Sequence, residues 1–173
     1  MKFLSHDLKH KCRFVYETVN WKTMLRTLLT DGTSAMILFR ISDFLQRHHL
    51  GILGMIFSKL NYHWNSIVIG QGARFGKGFV ILHSVAVVIN GAVQAGENLV
   101  IEHGVTIGAE KYQIPKIGNN VFLGAGAKVI GAVTIGDNVK IGANAVVVKD
   151  IPANSTAVGI PAKVIKKSEQ SLK

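Results

Sequence analysis

The sequence predicts a mainly β fold, a parallel β-helix of hexapeptide repeats preceded by a short α-helical region. Three observations lead to this prediction. An aliphatic or aromatic residue recurs every six positions from Ile69 to Val147, with a single miss at Lys111. Glycine is concentrated in the same stretch, since 14 of the 18 glycines lie between residues 70 and 142. Residues 1–65, in contrast, lack the six-residue period.

The six-residue period indicates coils that are built from three short strands each. A hexad supplies one strand and one tight turn, so that three hexads close a triangular coil of about 18 residues. The recurring side chain then points into the coil and stacks on its counterpart one coil away, and about four coils are expected. Around residues 99–108 the register is ambiguous, because Ile101 and Ile107 compete with Leu99 and Val105. The side chains predicted to point inward are Ile69, Phe75, Ile81, Val87, Val93, Leu99, Val105, Ile117, Leu123, Val129, Ile135, Ile141 and Val147.

The chain divides into three parts at the ends of the repeat. Residues 1–65 are expected to form the α-helical region and residues 66–150 the β-helix. Residues 151–173 hold two of the three prolines and are expected to run as an extended tail along the last coil. Each coil buries its apolar face only against its neighbours, so that an end needs a cover. We expect the helical region to cover the first coil.

Three helices are expected before the repeat. The first is predicted at about residues 7–29 and the third at residues 52–61. Between them, the apolar residues of "MILFRISDFL" recur at three- and four-residue spacings, which is typical of an amphipathic helix. Asp31 or Thr33 could cap this second helix.

Composition and charge limit the kinds of function to consider. The single cysteine, Cys12, excludes an internal disulfide and a cysteine-rich zinc site. Neither a signal peptide nor an apolar run long enough to span a bilayer is visible, so that a cytoplasmic protein is expected. The net charge of +10 favours anionic partners, such as a phosphate-rich cofactor or an anionic membrane surface. Nucleic acid is not expected as a partner, because no dense basic run is interleaved with aromatic residues.

Two histidines stand inside the repeat, His83 in "ILHSVAVVING" and His103 in "IEHGVTIG". Imidazole titrates near neutral pH and can therefore take a proton as a general base. His103 follows His83 by one coil plus two residues, so that it could lie near His83 on the adjacent coil or across a subunit junction. A histidine in the coil wall, bonded to a neighbouring carbonyl, is an equally open reading of His103. A metal site is not expected, because about three converging histidines would be needed and the coils hold only two.

The repeat region resembles the serine acetyltransferases. The series H…G-V-T-I-G…P-K-I-G…G-A-G-A-K…G-I-P-A-K carries the resemblance, which extends over residues 32–165. These enzymes are left-handed β-helix acyltransferases that use acetyl-CoA, with sites at subunit junctions and trimers that stack into hexamers. The resemblance therefore implies a left-handed coil, acetyl-CoA as the co-substrate and a homotrimer. It also implies that His83 is the general base that removes the proton of the acceptor hydroxyl.

The resemblance further implies a surface for acetyl-CoA along the coils. Small side chains there would let the pantetheine arm lie against the backbone. Lys163 in "GIPAK" matches a basic residue that meets a CoA phosphate. The small residues implied at this surface are Gly108, Ala109, Gly124, Ala125, Gly142 and Ala143.

The acceptor side departs from the pattern of the serine acetyltransferases. Val68 and Leu82 stand where the family has aspartates, and Gln113 and Ile114 stand where it has an Arg-His pair. Because those charged groups would hold an amino acid, their absence favours the related branch of capsule and exopolysaccharide enzymes. The residues expected to contact such an acceptor are Asp31, Asn90, Glu102, Glu110, Tyr112 and Gln113.

The sequence thus predicts an acetyl-CoA-dependent O-acetyltransferase that acts on a hydroxyl of a sugar or polysaccharide. The alternative is serine O-acetyltransferase of cysteine biosynthesis. A non-catalytic hexapeptide scaffold and a metal-dependent enzyme like the β-helical carbonic anhydrases are weaker alternatives. Since the family's aspartates are missing, Asp31 or Glu102 could orient His83, including from a neighbouring subunit.

Overall fold

The computed structural model describes residues 3–167, which form a left-handed parallel β-helix of about five turns with four helices before it. The predicted fold class is confirmed, with one more turn than expected. The helices are α1 (Leu4–Tyr16), α2 (Trp21–Leu29), α3 (Thr33–Arg47) and α4 (Gly51–Asn65). The strands are β1 (Ile67–Ile69), β2 (Arg74–Phe75), β3 (Val80–Ile81), β4 (Val87–Ile89), β5 (Gln94–Ala95), β6 (Val100–Ile101), β7 (Thr106–Gly108), β8 (Lys116–Ile117), β9 (Phe122–Leu123), β10 (Lys128–Ile130), β11 (Thr134–Ile135), β12 (Lys140–Ile141), β13 (Val146–Val147), β14 (Ser155–Val158) and β15 (Lys163–Lys167).

The single helix predicted at residues 7–29 is wrong, because the structure divides it into α1 and α2. Glu17 adopts a left-handed backbone conformation that ends α1. Asn20 then starts α2 by a reciprocal pair of side-chain bonds, in which its side chain accepts from the Thr23 amide and Thr23 accepts from the Asn20 amide. Within residues 3–167, no helix combines the length and the apolar composition that crossing a bilayer requires.

The strands form three parallel sheets, one on each side of the triangular coil. The first sheet contains β1, β4, β7, β10 and β13, and the second contains β2, β5, β8 and β11. The third contains β3, β6, β9, β12 and β14, with β15 added antiparallel at its end. Three corners therefore run along the β-helix, and the chain passes each corner once per coil.

Two insertions of different length explain why the six-residue count spans the whole repeat. Ile81 pairs with Ile101, 20 positions later, because eight positions separate the stacked residues Ile81 and Ile89, two more than separate Ile101 and Ile107 on the next coil. Ile101 pairs with Leu123, 22 positions later, because the loop at residues 109–115 carries four. The two insertions together equal one hexad, so that the count resumes after them. The two insertions also resolve the ambiguous register. Ile101 stacks on Ile81 and Leu123, and its competitor Leu99 is buried two residues earlier in the chain.

The N-terminal helices cover the open end of the first coil. Met36 and Phe39 of α3 are buried and belong to the same apolar core as the coil interior. The Phe39 ring lies 5.2 Å from the ring of Phe75 and 5.6 Å from that of Phe79. Packing of α3 therefore removes the first coil's apolar interior from water, as a β-helix end requires.

The β-helix continues past residue 150, where the tail was predicted to begin. Strand β14 pairs in parallel with β12, and Ile151 bridges to Ile135. Residues 151–158 thus complete a fifth coil, and only β15 turns back on it. Residues 168–173 of the predicted tail lie outside the described residues.

Candidate active site

The corner between the third and first sheets brings together both histidines of the repeat; we call it the histidine corner. The backbones of its turns are joined coil to coil. The Gly104 amide donates to Val85 O at 2.9 Å, the Gly126 amide to His103 O at 2.8 Å, and the Asn144 amide to Ala125 O at 2.7 Å. This ladder stacks the turns in one column. The turns are residues 82–86, 102–105, 124–127 and 142–145.

His83 and His103 lie on adjacent coils of this corner. Their ring centroids are 6.1 Å apart and the rings cross at 70°. Both side chains are more than half exposed, so that an acceptor can reach them. The structure therefore supports the reading that placed His103 beside His83. Within residues 3–167, no group of three or more His, Cys, Asp or Glu side chains is arranged to hold a metal ion.

A carboxylate from the helical region contacts His83. Asp31 lies in the turn between α2 and α3, and its Oδ2 is 3.2 Å from His83 Nδ1. Glu102 lies instead beside His103, with 3.7 Å between Oε2 and Nδ1. Of the two carboxylates that the sequence offered for orienting His83, the structure brings Asp31 into contact with it. Because Nδ1 faces Asp31, Nε2 is the nitrogen left to act on an acceptor.

An open cleft of about 460 Å³ lies in front of His83. The end of α2, the α2–α3 turn and the end of α4 form its walls, and the exposed indole of Trp64 stands at its edge. Asp31, His83 and Ser84 line it together. The cleft has room for a small hydroxylated acceptor next to the His83 ring.

Four of the small residues that the resemblance linked to acetyl-CoA lie in the same column as the histidines. Ala125 and Ala143 occupy equivalent places on successive coils, and Ala143 is exposed. Gly124 and Gly142 are also required by packing, because a Cβ on Gly124 would lie 2.8 Å from the Ala143 amide nitrogen. Coil packing explains these glycines by itself, and their contact with CoA stays a prediction.

Lys163 lies at the far end of the same corner. It stands opposite Val158 in the antiparallel pair of β14 and β15. Val158 in turn approaches Gly142, since a Cβ on that glycine would meet the Val158 side chain. Lys163 is exposed there. The histidine corner therefore runs from His83 on the first coil to a lysine on the last.

The remaining predicted site residues lie at the opposite edge of the first sheet. Strand β7 separates them from His103 within one chain. Asn90 caps its own turn by accepting from the Ala92 amide at 2.9 Å. Tyr112 is 98% exposed in the long loop, and Gln113 pairs with Glu110 through the backbone. The structure does not bring these residues to His83 in the same chain. The predicted residues at this edge are Asn90, Gly108, Ala109, Tyr112 and Gln113.

A buried lysine that the sequence did not predict, Lys11, lies behind the His83–Asp31 pair. Its side chain is 1% exposed, and Nζ donates to Ile81 O at 2.8 Å and to Asp31 O. Burial lowers the pKa of Lys11 to about 8, against the opposing effect of the Asp31 carboxylate. A lysine in the polar stretch "LKHKC" gives no periodic signal, so that only the folded structure shows this contact.

Comparison with known proteins places this geometry in a family. Residues 114–149 match the bacterial transferase hexapeptide (six repeats) family. The chain is 40% identical to the serine acetyltransferase of Helicobacter pylori strain J99 over 151 residues, which cover 85% of this chain and 86% of that protein. The chain belongs to the serine acetyltransferase family.

Solved structures of serine acetyltransferases agree with this assignment. The Neisseria gonorrhoeae enzyme superposes with a TM-score of 0.86 at 32% identity, covering 98% of this chain and 67% of that one. The Brucella abortus enzyme, solved in complex with coenzyme A, gives a TM-score of 0.84 at 29% identity and covers 95% of this chain and 68% of that one. The predicted enzyme class, an acetyl-CoA-dependent O-acetyltransferase, and its co-substrate are thereby confirmed.

The predicted sugar or polysaccharide acceptor is wrong. The relatives that match most of the chain are serine acetyltransferases, and the capsule and exopolysaccharide branch finds no support among them. The prediction rested on the charged groups missing at Val68, Leu82, Gln113 and Ile114, which would hold an amino acid in the family. The structure shows that an acidic group reaches the site from another element, because the Asp31 carboxylate contacts His83.

Proposed function

We propose that this chain is a serine O-acetyltransferase of cysteine biosynthesis, which transfers the acetyl group of acetyl-CoA to the hydroxyl of L-serine. The observation that carries the proposal is the 40% identity to the Helicobacter pylori enzyme along 85% of the chain. A related enzyme from Neisseria gonorrhoeae has also been solved in complex with serine. The exposed His83 imidazole at the edge of a small open cleft supports the same acceptor.

The reaction follows from the place of His83. Its Nε2 takes the proton of the serine hydroxyl while the oxygen attacks the thioester carbonyl, since an alcohol is a poor nucleophile until a base removes its proton. The carbonyl oxygen becomes an oxyanion, which donors along the histidine corner can stabilise. When the tetrahedral intermediate collapses, the C–S bond breaks and the sulfur leaves with the proton that His83 had taken. The products are O-acetylserine and CoA, and His83 returns to its neutral form.

The acceptor is tested with acetyl-CoA and a matched pair of amino acids. L-Serine should release CoA thiol and yield O-acetylserine, whereas L-alanine should release none because it has the same backbone and lacks the hydroxyl. Thiol release and mass spectrometry of the product measure the two outcomes. Failure of L-serine to accept the acetyl group would contradict the proposed function.

The donor is proposed to lie along the histidine corner, with a CoA phosphate near Lys163. Lys163→Glu should raise the KM for acetyl-CoA by about tenfold, because it replaces an attraction of up to about 1 kcal/mol by a repulsion. The predicted contact is the 3′-phosphate, so that acetyl-dephospho-CoA should show almost no change in KM.

Lys166→Glu is the matched control for the donor site. Lys166 lies on the same strand but borders the far corner, next to Asn138 and Asn154. This variant should leave the KM for both donors unchanged. An equal loss with both donors in Lys163→Glu would refute the phosphate assignment.

A homotrimer is also proposed, in keeping with the resemblance. Exposed apolar side chains on the first sheet and on α4 support it, because contiguous apolar surface of this kind marks a contact site. Val68 and Val88 are adjacent on the first sheet and more than 40% exposed. Tyr62 and Trp64 are also exposed, at the end of α4.

A further inference from the structure

The Lys11 side chain is buried at a cost in free energy, and it takes no part in the reaction steps described above. Its ammonium group is removed from water, which is unfavourable unless hydrogen bonds compensate. Both of its acceptors are backbone carbonyl oxygens, those of Ile81 and Asp31. These two carbonyls belong to segments that are 50 residues apart in the chain. Lys11 therefore connects, through hydrogen bonds, two backbone segments that are far apart in the chain.

The two joined segments are those that carry the His83–Asp31 pair. Ile81 is the last residue of β3, two positions before His83. The α2–α3 turn also packs directly on this strand end at Gly32, which has a left-handed φ of 73°. A Cβ on Gly32 would collide with the carbonyl group of Ile81. The turn and the strand end are thus held backbone against backbone.

The Asp31 side chain depends on this backbone for its position. It is 79% exposed, so that packing around the carboxylate does not fix it. Its contact with His83 Nδ1 at 3.2 Å requires the turn to stay against the end of β3. Val68, where the resemblance expects an aspartate, offers no carboxylate.

We propose that Lys11 is a positioning residue of the active site, which clamps the α2–α3 turn onto β3 so that the Asp31 carboxylate orients His83. The inference rests on the proposed function in taking His83 as the general base. In this arrangement Asp31 accepts from Nδ1–H of His83, which fixes the tautomer with Nε2 unprotonated and stabilises the imidazolium formed during the reaction. Helix α1 thereby acts as a support for catalysis.

The charged groups around His83 affect how well the imidazolium is stabilised. Asp31 faces it from the α2–α3 turn, His103 and Glu102 face it from the next coil, and Lys11 lies behind Asp31. An adjacent carboxylate stabilises the imidazolium that forms when His83 takes the hydroxyl proton. Removing that carboxylate should therefore slow the transfer of the proton to His83.

The test compares Asp31→Asn and Lys11→Met with the wild-type chain in thiol-release kinetics across pH. Asp31→Asn should lower kcat by about tenfold or more, because an amide neither holds the His83 tautomer nor stabilises the imidazolium as a carboxylate does. The KM for acetyl-CoA should not change, whereas the pH profile of kcat should differ from that of the wild-type chain. Lys11→Met should also lower kcat and alter its pH profile, with the KM for acetyl-CoA unchanged. The double variant should lose no more than Asp31→Asn alone, because Lys11 acts through Asp31.

Lys9→Met is the matched control, since Lys9 lies exposed on the same helix, and it should leave kcat and the pH profile unchanged. Wild-type kcat and pH profile in Lys11→Met would overturn the inference. A fall in melting temperature and CoA affinity along with kcat would also overturn it, because Lys11 would then support the whole fold. An inactive wild-type chain with serine contradicts the proposed function instead, so that the two failures are distinguishable.

Discussion

Replacing His83 with alanine is expected to lower kcat for acetyl transfer by at least about a hundredfold, the usual scale for loss of a general base. Without the imidazole, no group in the cleft takes the hydroxyl proton as the oxygen attacks the thioester. Asp31 cannot replace it, because carboxylates are in general much weaker bases than imidazole. Thiol release at saturating serine and acetyl-CoA measures the effect.

Acetyl-CoA binding should survive in His83→Ala, because the proposed donor surface lies on other coils of the corner. Calorimetric titration with CoA checks this point and shows that the variant is folded. His103→Ala is the comparison variant, since it removes a ring of the same kind 6.1 Å away. His103→Ala should reduce kcat less than His83→Ala, because the contact between Asp31 and His83 remains in this variant. The carboxylate beside His103, that of Glu102, is also more distant, at 3.7 Å. Full activity of His83→Ala would contradict the mechanism.

The repeat predicted most of the fold because each hexad carries its own structural information. A small turn and an inward aliphatic residue are enough to specify one side of a coil, wherever that coil lies in the chain. The count missed the two insertions, because their lengths add to one hexad and so leave no net shift. Pairing of Ile81 with Ile101 is a contact between coils, and only the folded chain can show it.

The candidate site was predicted only in part, for a related physical reason. His83 was found because a histidine is conspicuous among apolar and glycine residues, and the small residues were found by their motif. Asp31 was named only by its residue type, since its contact with His83 joins positions 52 residues apart. Lys11 gave no signal. The acceptor was misjudged because the charged groups that the resemblance expects at residues 68, 82, 113 and 114 are missing from the sequence.

Replacing Asp7 with alanine is the change expected to affect stability most. Asp7 is completely buried, and its Oδ2 accepts from Arg40 Nε at 2.7 Å. Its Oδ1 also accepts from the backbone amides of Gly78 and Phe79, at 2.7 and 3.0 Å. One carboxylate thus joins α1, α3 and a corner of the first coil. Its removal leaves a buried guanidinium without its counter-ion and two backbone donors without acceptors.

The expected loss is about 3–5 kcal/mol of unfolding free energy, the range for breaking a buried ion pair by removing one partner. Urea unfolding followed by circular dichroism measures it. Arg47→Met is the matched control on α3, because Arg47 also pairs with an aspartate, Asp43, but is 46% exposed. It should cost less than about 1 kcal/mol, as exposed pairs do. A second variant that replaces both Asp7 and Arg40 by apolar residues should recover part of the loss, since no unpaired charge is then buried. Similar losses for Asp7→Ala and Arg47→Met would contradict this account, because the two pairs differ mainly in burial.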